Sequence, residues 1–123
     1  MRLLLDTHII IWVATQDRRL STAQRNVLAD PVNELYASAV VAYEFAHLQR
    51  DHRIPLTEPF SAAQDLIGFE LLDLPSQSWS KVAELPLIHR DPVDRMLIAH
   101  ALVAGMTIIT ADRHIRQYAV PTI

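Results

Sequence analysis

Residues 1–8 read MRLLLDTH, and this stretch decides the fold class. Three consecutive leucines predict a strand buried on both faces, which is typical of a parallel sheet. A charge inside such a strand would be costly to bury, so Asp6 is expected at the carboxyl end of the strand. In open α/β sheets that edge faces the ligand crevice. Asp6 is therefore the first candidate for chemistry.

The rest of the chain alternates apolar strand patterns with helical patterns. Further strands are predicted over 35–37, 69–74, 106–110 and 120–123, and helices over 7–14, 21–29, 40–50, 60–67, 78–85 and 92–104. Asp91 and Pro92 fit the N-cap and first position of the last helix, and Gly105 fits its end. This alternation predicts a single α/β domain over residues 1–123 with a mainly parallel sheet.

Composition bounds the function classes. The 11 basic and 14 acidic residues give a formal net charge of −3, so no global basic field advertises nucleic-acid binding. A nucleic-acid enzyme is still allowed, because bound cations can reverse the sign of an acidic site. The absence of cysteine excludes thiolate chemistry and favours a cytoplasmic protein. The sequence predicts no signal peptide and no membrane span.

Two carboxylates occupy helix positions that face the core. Glu44 shares its face of the helix over 40–50 with mostly apolar residues, where a carboxylate needs a metal, an arginine partner or a place at the exposed edge of that face. Asp94 lies in the first turn of the helix over 92–104, in line with the core-facing Leu97. A first-turn carboxylate also stabilises the helix dipole, which is the alternative role for Asp94.

Two further aspartates have alternative structural roles. Asp112 follows the strand over 106–110 as Asp6 follows the first strand, but a cap on the next helical turn would equally explain it. Asp91 is expected to be the N-cap of the helix over 92–104, and whether it also assists the site stays open.

These carboxylates are expected to converge. Right-handed crossovers bring Asp6, Asp94 and Asp112 to the same edge of the sheet, and Glu44 reaches that crevice from the helix after the second strand. Carboxylates that close repel one another, and a hard divalent cation resolves the repulsion. Ligation by oxygen alone favours Mg²⁺ or Mn²⁺ over zinc, and the histidines lack the sequence spacing of a zinc site.

Four blocks of sequence carry a family resemblance. They are residues 3–8 (LLLDTH), 38–44 (SAVVAYE), 89–99 (HRDPVDRMLIA) and 109–112 (ITAD). In this order and at these separations they resemble the PIN-domain ribonucleases, specifically the VapC-type toxins of bacterial toxin–antitoxin pairs. The chain departs from that pattern at Tyr43, where many relatives carry tryptophan, and at His100, where many carry glutamine.

The resemblance implies a five-stranded sheet in the order 3-2-1-4-5 and endonucleolytic cleavage of RNA. It implies a catalytic metal site at matching positions, with Mg²⁺ as cofactor and Mn²⁺ as a substitute, formed by Asp6, Glu44, Asp94 and Asp112. It also implies a cognate VapB-type antitoxin, binding to DNA only through that antitoxin, and a homodimer. The apolar run over 9–13 adds weak support for the homodimer, since one sheet face does not require a helix that is apolar almost all round.

Substrate contacts are less defined by the sequence. Thr7, Arg90, Arg95 and Arg113 flank the acidic blocks as candidate RNA contacts, although such arginines are often solvated or ion-paired. An aspartyl-phosphate hydrolase is disfavoured, because His8 stands where that chemistry needs a second acid. The serious rival is a catalytically silent PIN-like module that binds RNA or protein, and retention of all four carboxylates argues against it.

Overall fold

The leucine run forms the central strand of a four-stranded parallel sheet in the computed structural model, which describes all 123 residues. Strand β1 (Arg2–Leu5) pairs with β2 (Glu34–Ser38) on one side, while β3 (Glu70–Leu72) continues the sheet beyond β2. On the other side β1 pairs with β4 (Thr107–Ile109), which gives the order β3-β2-β1-β4. The three leucines of β1 are fully buried, as the sequence predicts for a strand covered on both faces.

Six α-helices and one 3₁₀ turn connect the strands. Their bounds are α1 (Thr7–Ala14), α2 (Thr22–Ala29), α3 (Ala39–Arg50), α4 (Phe60–Ile67), α5 (Ser78–Glu84), α6 (Pro92–Ala104) and the 3₁₀ turn at Ile115–Gln117. The predicted helices are confirmed to within a few residues at their ends. None of them combines the length and the apolar composition needed to cross a lipid bilayer.

The predicted fifth strand is reduced to a single bridge. Thr122 pairs in parallel with Ile108, whose N–H donates to Pro121 and whose carbonyl accepts from the N–H of Ile123. The next ladder bond toward the start of β4 would need an N–H from residue 121, and proline has none. The order 3-2-1-4-5 therefore holds in position, but the fifth segment does not form a strand.

Local capping fixes where the two helical carboxylates lie. The Asp91 side chain accepts hydrogen bonds from the N–H groups of Val93 and Asp94 at 2.8 and 3.2 Å, so Asp94 falls in the first turn of α6. Gly105 ends α6 with φ 66°, a conformation that favours glycine. Ser38 caps α3 through the N–H of Val40, which begins the helix that carries Glu44 directly after β2.

Helix α1 owes its apolar character to burial within the chain. Its residues Ile9 and Ile10 are fully buried, and Trp12 is nearly so, because α1 packs against α3 and α4. The sequence argument that linked this apolar run to a homodimer was therefore wrong. Trp79, by contrast, is exposed on α5.

Candidate metal centre

Asp6 lies at the carboxyl end of β1 and is buried, with 5% of its surface exposed. It caps α1, because its Oδ1 accepts a hydrogen bond from the N–H of Thr7 at 2.7 Å. Its Oδ2 accepts a second hydrogen bond from the Thr110 hydroxyl, also at 2.7 Å. The two donors fix the orientation of the carboxylate at the edge of the sheet.

Three of the predicted carboxylates come together. One oxygen each from Asp6, Glu44 and Asp94 lies within 4.8 Å of the other two. They arrive from β1, α3 and α6, so the cluster exists only because the strand order brings these segments to one edge. We call Asp6, Glu44 and Asp94 the acidic cluster.

The acidic cluster is electrostatically unfavourable when empty. Burial, together with the negative charges of Asp6, Asp91 and Glu44, raises the pKa of Asp94 to about 7. Burial also raises the pKa of Asp6, against the lowering effect of its hydrogen bonds with Thr110 and Thr7. Carboxyl groups with raised pKa values in a shared crevice are stabilised as carboxylates by a bound cation.

Asp112 lies at the same edge but is not part of the acidic cluster. Its N–H donates to the Thr110 hydroxyl at 3.0 Å, and its Oδ1 accepts from the N–H of His114 at 2.7 Å. Its ligand atoms group instead with those of His89 and His114. The structure therefore brings Asp112 beside the predicted site, in a turn that also uses it as a cap.

The acidic cluster, with His89 and Asp112, lines a cavity of about 340 Å³. All four predicted carboxylates line it, together with Asp91, His8, His89 and Arg53. A space of this size at the carboxyl edge of a parallel sheet fits a metal centre that is open to substrate.

Two residues of this cavity have no assigned role in the sequence analysis. His89 donates or accepts through Nε2 at 2.9 Å from Oδ2 of Asp94, and it lies only five positions earlier in the chain. Its place in the 89–99 block was the available signal. Arg53 reaches the cavity from the loop after α3, and no sequence pattern marks that loop as adjacent to Asp6.

The candidate RNA contacts divide into two groups. Thr7 is fully buried, and the guanidinium of Arg95 donates to the carbonyls of Pro86 and Val82 and to the Tyr118 hydroxyl. The side chain of Thr7 is enclosed by the fold, and that of Arg95 is used within it. Arg90 and Arg113 are exposed and form no ion pair.

A family model and a curated protein match this chain over nearly its whole length. The model for the PIN domain matches residues 3–121. Ribonuclease VapC22 of Mycobacterium tuberculosis (strain ATCC 25618 / H37Rv) is 29% identical over 121 residues, which cover 96% of this chain and 92% of that protein.

Solved structures share the fold at low sequence identity. VapBC2 from Rickettsia felis, bound to a DNA fragment from its promoter, superposes with a TM-score of 0.72 at 17% identity, covering 100% of this chain and 98% of that chain. DNA-bound VapBC from Salmonella typhimurium gives a TM-score of 0.70 at 15% identity, with 100% and 97% coverage.

Proposed function

This chain belongs to the PIN-domain family, and from that premise we propose that it is a divalent-metal-dependent endoribonuclease, the toxin of a VapBC-type toxin–antitoxin pair. The observation that carries the proposal is the acidic cluster of Asp6, Glu44 and Asp94 inside an open cavity. The relative named as a ribonuclease, similar over 96% of this chain, supports the RNA substrate. The whole of residues 1–123 is proposed to be one PIN domain.

The acidic cluster fits Mg²⁺, with Mn²⁺ as a substitute. Its three donors are all carboxylate oxygens, which hard cations prefer, and the raised pKa values of Asp6 and Asp94 express the same unmet demand for positive charge. One or two divalent ions held there would supply a hydroxide nucleophile at neutral pH and stabilise charge on the scissile phosphate. Asp112, at the rim of the same cavity, is the fourth proposed catalytic ligand.

The surrounding residues hold the carboxylates in place. Thr110 and the N–H of Thr7 orient the two oxygens of Asp6, while His89 contacts Asp94. Fixed ligands of this kind keep their geometry when a charged substrate enters. Arg53 and the exposed Arg90 and Arg113 are proposed to hold RNA phosphates beside the acidic cluster.

The proposed partners follow from the toxin assignment. A VapB-type antitoxin is expected to bind this chain in the cytoplasm, and contact with DNA is expected only through that antitoxin. Three of the structurally similar proteins are VapBC complexes, two of them bound to DNA. A homodimer is also proposed, and its support is the exposure of large apolar side chains such as Trp79 and Leu87.

The direct test is cleavage of total cellular RNA by the purified protein. Cleavage with Mg²⁺ or Mn²⁺ is expected, with loss in EDTA and in Asp94→Asn, which changes the charge but little of the shape. Asp65→Asn, an exposed change on α4, is the matched control and should remain active. Full cleavage by Asp94→Asn would contradict the metal-site assignment. RNA binding without cleavage by the wild-type protein would instead indicate a catalytically silent PIN-like module.

A further inference from the structure

Two histidines and an aspartate form a second group of metal-binding atoms beside the acidic cluster. One ligand atom each from His89, Asp112 and His114 lies within 4.8 Å of the other two. The two imidazole rings stack with centroids 4.7 Å apart and 14° between their planes. His114 Nδ1 lies 3.4 Å from Oδ1 of Asp112. The group joins the loop before α6 to the segment that follows β4.

We propose that His89, Asp112 and His114 form a site for a divalent transition metal, with Zn²⁺ as the reference ion, which adjoins the oxygen-only acidic cluster and shares Asp112 with the proposed catalytic centre. Two imidazole nitrogens with one carboxylate form a ligand set that suits zinc, whereas Mg²⁺ prefers oxygen ligands alone. Three protein ligands also leave a coordination position open to water or a substrate oxygen. The spacing of the histidines in the sequence argues only against a zinc motif whose ligands are close together along the chain. The three ligands here come from two segments that are distant in sequence.

The ligands are held by contacts that lie outside the proposed site. The His89 N–H donates to the Tyr118 hydroxyl at 2.9 Å, and Arg95 Nη1 donates to the same oxygen at 3.1 Å. On the other segment, the hydrogen bond from the Asp112 N–H to Thr110 fixes the turn. Tyr118 therefore links the two segments, so the three ligands stay near one another before a metal binds.

Metal binding requires the ring of His114 to turn. Zinc–nitrogen bonds of ~2.0–2.1 Å place two tetrahedral ligands ~3.4 Å apart, closer than the 4.8 Å limit of the present spacing. The lone pair of an imidazole nitrogen lies in the ring plane, so two rings only 14° from parallel must rotate relative to each other to share an ion. His89 is held by Asp94, whereas the side chain of His114 is 43% exposed and has room to rotate.

His89 also connects the two groups of ligands. Its Nε2 contacts Asp94 of the acidic cluster, and we therefore assign Nδ1 as the nitrogen that would ligate the metal. A carboxylate on the second nitrogen of a metal-bound histidine fixes the ring orientation and raises its basicity as a ligand. Metal at the proposed site would therefore lie next to the acidic cluster. An effect of this metal on RNA cleavage would depend on the proposed function, whereas the binding of the metal does not depend on it.

The test is a titration of the chelator-treated protein, residues 1–123, with Zn²⁺. Calorimetry measures the affinity, and ¹⁵N NMR of the imidazole nitrogens identifies the ligands. The resonances of His89 and His114 are expected to shift. His114→Ala removes a direct ligand and should weaken Zn²⁺ binding by at least the roughly 10-fold that loss of a supporting residue costs. Asp112→Asn, which keeps an oxygen to accept the His114 N–H, is expected to weaken it as well. The matched control is His52→Asn, an exposed position at φ 54° that asparagine tolerates, and it should bind Zn²⁺ like the wild type.

Two outcomes would overturn the site. One is Zn²⁺ affinity unchanged in His114→Ala and in Asp112→Asn, each with a wild-type thermal unfolding curve. The other is Zn²⁺ binding that is lost in Asp6→Asn but retained in His114→Ala, which would place the ion in the acidic cluster. RNA cleavage is measured separately, so an inactive protein that still binds Zn²⁺ through the histidines would contradict only the proposed function.

Discussion

The hydroxyl of Thr110 donates a hydrogen bond to Oδ2 of Asp6 at 2.7 Å, across 104 positions of sequence. Thr110 follows β4 and Asp6 follows β1, so the bond joins the carboxyl ends of the two neighbouring central strands. The same hydroxyl oxygen accepts from the N–H of Asp112 at 3.0 Å. One buried side chain therefore positions an aspartate on each of the two strand ends.

Thr110→Val should damage the metal centre while keeping the side-chain shape. The change leaves Oδ2 of Asp6 and the N–H of Asp112 without their partner, which typically destabilises a protein by about 1–3 kcal/mol. Loss of an orienting hydrogen bond typically weakens metal binding by about 10–100-fold. Mn²⁺ affinity and RNA cleavage measure this effect. Thr110→Ser keeps the hydroxyl and should remain close to wild type, whereas equal Mn²⁺ binding by both variants would contradict the role of this bond.

Asp94→Asn should stabilise the metal-free protein at neutral and alkaline pH. The pKa of Asp94 is raised from 3.8 to about 7 in the fold, so ionisation destabilises the folded state as pH rises through that interval. A change of one pKa unit corresponds to ~1.4 kcal/mol, and partial exposure of Asp94 to solvent reduces the effect. We therefore expect the free energy of unfolding of Asp94→Asn to exceed that of the wild type by about 1–3 kcal/mol at pH 8.

Urea denaturation in EDTA at pH 4.5 and pH 8 measures this gain. The advantage of Asp94→Asn over wild type should be small at the lower pH and larger at the higher one. Added Mn²⁺ should stabilise the wild type and have little effect on the variant. A variant that is less stable than wild type at pH 8 would show that Asp94 is not strained by its neighbours.

The sheet was predictable because its strands carry strong local signals. The leucine run before Asp6 and the strand before Thr110 are apolar on both faces, which is the pattern of a buried parallel strand. The segment over 120–123 has the same apolar pattern, but Pro121 removes a donor that the ladder needs. An apolar pattern does not show which residues lack a backbone N–H, and for this reason the sequence predicted a fifth strand where only a single bridge forms.

The candidate site was predictable only in its carboxylates. Asp6 and Glu44 stood out because a charge in an apolar pattern is costly, and that signal is local. His89 and Arg53 have no such anomaly, since both occupy polar loops in the sequence. Their place in the cavity depends on how distant segments fold together, which spacing along the chain does not encode.

His100 should make the fold sensitive to mild acid. It is 1% exposed, its Nδ1 lies 2.8 Å from the Ser38 hydroxyl, and burial lowers its pKa below the ordinary 6.5. The unfolded chain therefore takes up a proton below pH 6.5 that the folded chain resists, so stability falls as pH falls. Glutamine does not take up a proton in this pH range, so His100→Gln abolishes this contribution to the pH dependence. The difference in urea stability between pH 7.5 and 5.5 should be smaller in the variant, and an equal difference would contradict the prediction.

Arg95 and Arg90 should separate stability from RNA binding. The Arg95 guanidinium donates to the Val82 and Pro86 carbonyls and to Tyr118, and the ammonium of lysine cannot reproduce that fork. Arg95→Lys should therefore lower the free energy of unfolding by about 1–3 kcal/mol, measured by urea denaturation.

Arg90 is exposed, so Arg90→Ala should change the free energy of unfolding by less than about 0.5 kcal/mol. If Arg90 holds a phosphate, Arg90→Ala should instead weaken RNA binding and lower its salt dependence by about one unit of slope. RNA affinity is measured with and without Arg90→Ala in the Asp94→Asn variant, which is expected not to cleave the RNA. Equal affinity of the two proteins would show that Arg90 does not contact the substrate.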